Sequence, residues 1–237
     1  MDLSGLAFSP GLDRQRQQLI SSLQALAGRS VKTAIEAMGI SPGQAGEIEL
    51  NAGLRTASTA PANEVYSGVL YERLDFAGLS ARGRRRSGEH LLIASGLWGM
   101  LRPTDLIPYY RLSMKAKLPR IGGLAASWRK PLAAAMADGG FDEPGDVVLD
   151  MRSGAYARAW KPRRASLVAV RGFTETGGRR KAISHMAKAV RGDVARLVLD
   201  APRMPRDVEG VADVLSGAGL RVEPGDGTID VIESGAA

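Results

Sequence analysis

The stretch Ile93–Met114, IASGLWGMLRPTDLIPYYRLSM, sets two glycines around a Leu-Trp pair and two arginines around a proline, an aspartate and paired tyrosines. Gly96 and Gly99 permit a tight turn and leave backbone N–H groups uncovered. At a following helix start such groups hold phosphate oxygens, helped by the helix dipole. Helix, then SGLWG, then MLRPTDL reads as a helix-hairpin-helix-like junction, although its glycines stand three apart where the usual hairpin has them two apart. The alternative is that the glycines only let two helices pack closely around Trp98. Arg102 and Arg111 add cationic charge, and Tyr109-Tyr110 beside Arg111 suits bases or sugars as well as phosphates. Asp105 either caps the turn or pairs with an arginine.

Two further groups have chemical potential. Asp150 ends a candidate strand, and Ser153, Tyr156 and Lys161 follow it; residues at strand ends commonly line the sites of α/β folds. Asp150 could serve there as a base or a hydrogen-bond acceptor. Lys188 and Arg191 stand three apart on one helix face, with Ser184 one turn before Lys188. Such a group holds a nucleotide or a DNA phosphate equally well. The competing reading makes Lys161, Lys188 and Arg191 solvated surface residues. The candidate catalytic residues are therefore Asp150, Ser153, Tyr156 and Lys161. The candidate phosphate- or DNA-binding residues are Gly96, Gly99, Arg102, Arg111, Lys161, Lys188 and Arg191.

Several chemistries are excluded. The chain has no cysteine and only His90 and His185, which leaves no thiolate, iron–sulfur or histidine-rich metal centre. His185 alone reads as structural or surface. Walker, G-x-S-x-G and H-E-x-x-H patterns are absent. No cofactor and no metal are expected, and no catalytic motif is recognised. The start, MDLSGLAFSPGLDRQRQQL, lacks a basic segment followed by an apolar run, and no apolar stretch is long enough to span a membrane. A cytoplasmic protein without membrane contact is expected.

Charge is unevenly spread. The net charge of +7 and pI near 10.0 favour polyanionic partners. Residues 82–131 hold eleven Lys/Arg against two Asp/Glu, a balance of +9, and residues 152–196 hold twelve against two, or +10. The other segments are net acidic. Two central blocks thus carry all the excess positive charge, which fits either a merely solvated arginine-rich face or, the sharper reading, a basic cleft for phosphates.

These residues must be held by elements legible from period and punctuation. Leu12–Ala27 has helical apolar spacing and stops at Gly28; Val31–Met38 is a shorter helix closed by Gly39. Ser41-Pro42 opens a third helix through about Leu50, with Gln44 and Glu47 on its polar side. Ala62–Tyr71 is a candidate helix, and SARGRRRSGEHLLIAS a basic helix running to Gly96. Asp146–Met151 and Ser166–Val170 read as strands, and RKAIS pairs with the second across TGGR. Met186–Leu199 is an amphipathic helix, and GLRVEPGDGTIDVIE a terminal β-hairpin. With no repeat and no dividing linker, residues 1–237 are expected to form a single compact mixed α/β domain with a mixed sheet and flanking helices.

The chain resembles the peroxide stress protein YaaA family through VYSG (Val65–Gly68), SGLWGMLRPTDLIPYYRL (Ser95–Leu112), Trp128, DMRSGAYARAWKP (Asp150–Pro162) and SHMAKAVRG (Ser184–Gly192). These motifs match in order and at family-like spacing over about 130 residues. The resemblance implies a mixed α/β fold with a positively charged cleft and a helix-hairpin-helix-like element. It also implies binding of double-stranded DNA and a role in limiting peroxide damage by keeping intracellular iron low. Family members usually begin with a hydrophobic strand and a short Pro/Ser/Lys loop; MDLSGLAFSPG shows no equivalent, so either the start codon is called late or this member lacks that strand of the sheet. The second hypothesis is an enzyme acting on a nucleoside, nucleotide or modified base, built on Asp150, Ser153, Tyr156, Lys161, Lys188 and Arg191. Oligomeric state is left open.

Overall fold

The computed structural model describes residues 2–177, 179–182 and 187–234. Helices α1 (Asp13–Ala27), α2 (Val31–Met38), α3 (Glu47–Ala52), α4 (Ala62–Val65), α5 (Val69–Leu74) and α6 (Ala81–His90) dominate the first ninety residues, with the short strand β1 (Thr59–Pro61) among them. Strands β2 (Ile93–Ser95), β3 (Gly99–Leu101), β4 (Leu106–Pro108), β5 (Lys117–Leu118) and β6 (Gly122–Gly123) follow, then α7 (Leu124–Asp138), β7 (Val147–Asp150) and α8 (Gly154–Ala157). Last come β8 (Ser166–Thr176), β9 (Arg179–Ala182), α9 (Ala187–Asp200), α10 (Val208–Gly217), β10 (Arg221–Gly225) and β11 (Thr228–Ser234). Backbone contacts gather these elements into two compact units of interleaved segments.

The first unit comprises residues up to Val65, Leu91–Phe141 and Arg152–Lys161. Helix α1 buries Leu19, Ile20, Leu23 and Leu26 at three- and four-residue spacing, and with them Arg16. Ser30 caps α2 by accepting the Thr33 N–H, and Gly39 ends it at φ 66°, a conformation glycine adopts without penalty. Three small antiparallel ladders complete the unit: β1 with β4, β2 with β3, and β5 with β6. Trp98 and Trp128 are fully buried here, and Trp160 nearly so.

The second unit comprises Tyr66–His90, Asp142–Met151 and the chain from Pro162 onward. Its mixed sheet has the order β10-β11-β8-β7, with β9 also on β8. Strand β8 runs parallel to both β7 and β11, while β10 and β9 are antiparallel to their neighbours. The inward residues Val168 and Val170, with Ile229 and Val231, meet Val190, Val194 and Val198 of α9 and Val211 and Leu215 of α10. Helices α5 and α6 pack on α9 in turn. Gly192 makes the α5 contact possible, because a Cβ there would collide with the Leu70 carbonyl. Asp142 joins segments of this unit by accepting the backbone N–H groups of Arg163, Arg164 and Ala165 at 2.8–3.0 Å.

The mixed α/β class and the flanked mixed sheet agree with expectation; the helix-hairpin-helix-like element at Ile93–Met114 does not form. Helix α6 stops at His90, and the apolar residues that follow pair as the β2–β3 hairpin instead. A Cβ at Gly96 would sit 2.6 Å from the Leu112 carbonyl, so the chain after the hairpin packs straight onto its turn. The helix expected from Ser41 to Leu50 is broken into a 3₁₀ turn at Pro42–Gln44 and α3, where Gly43 and Gly46 intervene. Similarly, the helix expected over Ala62–Tyr71 divides at Gly68, whose φ is 102°. Helices α7 and α10 were not anticipated.

Candidate functional site

The candidate residues divide between the two units. In the first, Ser95 organises the β2–β3 turn: its hydroxyl accepts the Trp98 N–H at 2.9 Å and shares a 2.6 Å hydrogen bond with the Tyr110 phenol. The Trp128 indole donates to the Gly96 carbonyl at 2.9 Å. Arg16 reaches up from α1, its Nε donating to the Trp98 carbonyl at 3.0 Å and its Nη2 to Ala7 at 2.7 Å and Met100 at 3.3 Å. Gly96 and Gly99 are both buried, and a Cβ at Gly99 would lie 2.9 Å from the Trp128 ring at a φ of 79°. Their smallness therefore serves close packing around the tryptophans, the second of the two readings of this turn. No helix starts after them, so the phosphate device expected there lacks its helix dipole.

Asp105 is a cap: its carboxylate accepts the Arg102 N–H and the Ala7 N–H, each at 3.0 Å. The Arg102 guanidinium lies over the Phe141 ring, 4.8 Å from its centroid. Arg111 is fixed through its backbone, donating to Asn51 Oδ1 at 3.0 Å and accepting from Asn51 Nδ2 at 2.7 Å. Its half-exposed guanidinium is 3.3 Å from Glu47. Of the tyrosine pair, Tyr109 is 58% exposed while Tyr110 turns in to Ser95. Burial pushes the Tyr156 phenol above its ordinary pKa, against a hydrogen bond with the Met114 backbone and the charge of Arg111. Arg111 and Tyr156 thus neighbour each other, an association the sequence did not suggest. Ser153 is exposed, its carbonyl accepting the Tyr156 and Ala157 N–H groups at the start of α8; Lys161 is exposed as well.

In the second unit the candidates meet at a notch in the described part of the sheet. Pairing of β7 with β8 ends at Asp150↔Ala169, and pairing of β9 with β8 begins at Phe173↔Ala182. Among the described residues, none pairs with 170–172 of β8 on that edge. Arg191 reaches β8 there from α9, its Nε donating to the Val170 carbonyl at 3.1 Å. Burial holds the Arg191 guanidinium below its ordinary pKa, and the nearby Asp150 carboxylate opposes this. Asp150 is itself buried at the C-terminal end of β7, the end of a parallel strand where α/β folds place ligands. Lys188 stands one turn before Arg191 and is exposed. Ser184 and His185 lie outside the described residues.

The structure therefore joins Asp150, Arg191 and Lys188 in one unit and Arg111 with Tyr156 in the other. At the notch, Lys188 and Arg191 put two cationic side chains three residues apart on α9, with the Asp150 carboxylate near the arginine. Asn51 and Arg16 were missed as positioning residues. A buried asparagine and a buried arginine on otherwise apolar helix faces were the available signals, but neither names its partner.

Comparison with known proteins places this geometry in a family. The sequence pattern of the peroxide stress protein YaaA family matches residues 4–224. A UPF0246 protein of Streptomyces coelicolor is 41% identical over 223 residues, covering 93% of this chain and 84% of that one. One of Corynebacterium glutamicum is 36% identical over 227 residues, covering 94% and 87%. Another, of Shewanella sediminis, is 33% identical over 204 residues, covering 81% and 77%. With a match over nearly its whole length, the chain belongs to the peroxide stress protein YaaA family.

Proposed function

We propose that the protein acts in the peroxide stress response by binding double-stranded DNA, limiting oxidative damage and intracellular free iron. The observation that carries this reading is the notch at the C-terminal end of β7. There, Arg191 is anchored to the sheet through Val170 and the exposed Lys188 stands one turn away. A cation held rigidly by backbone, beside one free to follow its ligand, suits the phosphate row of a duplex. Lys161, Arg102 and Arg111 are further candidates, though Arg111 shares its charge with Glu47. Gly96 and Gly99 are not needed as phosphate ligands. Cationic side chains on phosphates release condensed counterions, ferrous iron among them, so binding protects the polymer it covers; the lower free iron is a separate part of this reading. No helix of the described residues is long and apolar enough to cross a membrane.

The test is binding of a labelled duplex across a salt series. Wild-type affinity should fall steeply with salt, and Lys188→Gln should flatten the log–log slope by about 0.9. Lys188 is the cleaner probe, because Arg191→Gln also removes the bond to Val170. Absence of duplex binding at low salt would end this reading.

A specific observation favours the alternative, an enzyme acting on a nucleoside, nucleotide or modified base. Asp150 is buried beside Arg191, and a plain DNA groove has no use for a buried carboxylate. That reading predicts a thermal shift with a nucleotide or base, lost in Lys188→Gln, while duplex affinity is unchanged.

A further inference from the structure

Helix α6 offers a second cationic surface, away from the notch. It buries Gly83, Arg86 and Ser87 and exposes Ala81, Arg82, Arg84, Arg85 and Gly88. The buried arginine acts as a strut: its Nη1 donates to the carbonyls of Leu199 at 3.1 Å and Ala201 at 2.6 Å. Arg82 adds a 3.4 Å bond to the Pro202 carbonyl. The segment held in this way carries two more exposed arginines, Arg203 and Arg206. Lys188 and Arg191 lie in the first turns of α9, whereas α6 packs at its last turn, roughly 13 Å further along the axis.

Two independent features mark this face as built for a ligand. The first is how charge is handled. Elsewhere in the same unit, Arg73, Arg164, Arg171, Arg180, Arg196 and Arg221 each hold a carboxylate. Among the described residues no ion pair is made by Arg82, Arg84, Arg203 or Arg206, and Arg85 reaches only Glu89 at 3.8 Å. Nearby carboxylates serve as caps instead: Asp200 on Ser80 and Asp207 on the Gly210 N–H. The second feature is Gly88. Glycine inside a helix is less stable than alanine there, and a Cβ at Gly88 would meet nothing within 4 Å. Packing explains Gly83, which lies against Asp200, but no packing requires Gly88. Small residues at 81 and 88 flank Arg84 and Arg85 on the outward face, letting a bulky anionic polymer approach the helix backbone.

We propose that α6 and the Ala201–Arg206 segment form a second contact surface for the phosphodiester backbone of duplex DNA. This deepens the DNA-binding reading above and rests on it. Neither segment carries a Phe, Tyr or Trp, and His90 at the end of α6 is the one aromatic ring in them, so there is no broad platform for stacking unpaired bases and a duplex backbone is the fitting partner. Contact with the phosphodiester backbone carries no base readout, so binding here is indifferent to sequence.

The experiment compares the full-length protein with three variants: Arg84→Gln/Arg85→Gln, Arg203→Gln/Arg206→Gln, and Gly88→Glu. Each double variant should flatten the log–log salt slope for a labelled duplex by about two units. Gly88→Glu should weaken duplex binding while its melting temperature stays the same or rises, since the site is open and the new carboxylate pairs with Arg84. Wild-type slopes in both double variants, with melting unchanged, would overturn the proposal. So would loss of binding to phosphatidylglycerol vesicles with duplex binding intact, which would assign the face to a membrane. Lys188→Gln, measured alongside, separates the two sites. If only that variant flattens the slope, the notch reading stands and this one falls; if only the α6 variants do, the reverse holds. A wild type that binds no duplex overturns both.

Discussion

Replacing Arg16 by methionine should destabilise the first unit more than any other single change to α1. The side chain is fully buried, and its guanidinium bonds the carbonyls of Ala7, Trp98 and Met100 together with the Asp13 carboxylate. Methionine approximates the length of the stem but makes none of these bonds. Burial already holds the Arg16 guanidinium below its ordinary pKa, with Asp13 opposing, so removing the charge recovers some desolvation. What remains is the loss of a buried, charge-assisted network, about 3–5 kcal/mol. Against a typical net stability of about 5–15 kcal/mol, that is a large fraction. Arg16→Lys keeps the charge but not the planar fork, and should lose about 2 kcal/mol. Denaturant unfolding read by tryptophan fluorescence is the assay, because Trp98, Trp128 and Trp160 all belong to this unit. Circular dichroism on the same samples reports both units. A methionine variant within about 0.5 kcal/mol of wild type would refute the idea that Arg16 ties the N-terminal segment to the β2–β3 hairpin.

Asp142→Asn should cost about 1–3 kcal/mol, because one amide oxygen replaces a carboxylate that accepts three backbone N–H groups. Desolvation pushes the Asp142 pKa up, but the amides of Ala165, Arg164 and Arg163 outweigh it and hold it below the ordinary value. A depressed folded-state pKa gives stability that is present above about pH 4 and lost as pH falls through the folded value. Urea midpoints across acid pH should show that loss in wild type and not in the variant. Gly99→Val forces a β-branched residue to φ 79° against the Trp128 ring, and its melting temperature should fall by several degrees; unchanged melting would show the hairpin to be adjustable. The raised pKa of Tyr156 implies the opposite pH sense, with stability present below about pH 10 and declining above it as the unfolded phenol ionises first. Tyr156→Phe should lack that alkaline decline in melting curves taken over the same range.

The sequence by itself determined those elements whose signals are local. Helices α1, α2 and α9 follow from three- and four-residue apolar spacing, with Gly39 closing α2. Pro-Gly-Asp-Gly punctuates the β10–β11 hairpin, and the apolar run at Val147–Asp150 gives a strand, though only Asp150 of it is buried. Family membership was also legible, because ordered motifs survive without knowledge of their contacts. Tertiary structure decided the rest. The run Ile93–Leu101 is too short for period to separate strand from helix, and the close approach of Leu112 to Gly96 and of Trp128 to Gly99 selects the hairpin. Helix α7 was obscured by Pro131 inside it and by its run of alanines, which blur a polar–apolar stripe. Arg16 looked like one more charge on α1 until burial joined it to carbonyls more than eighty residues away. The bond from Arg191 to the Val170 carbonyl likewise joins positions 21 residues apart. Local chemistry is written in neighbours along the chain; which buried polar group meets which is set only when distant segments close together.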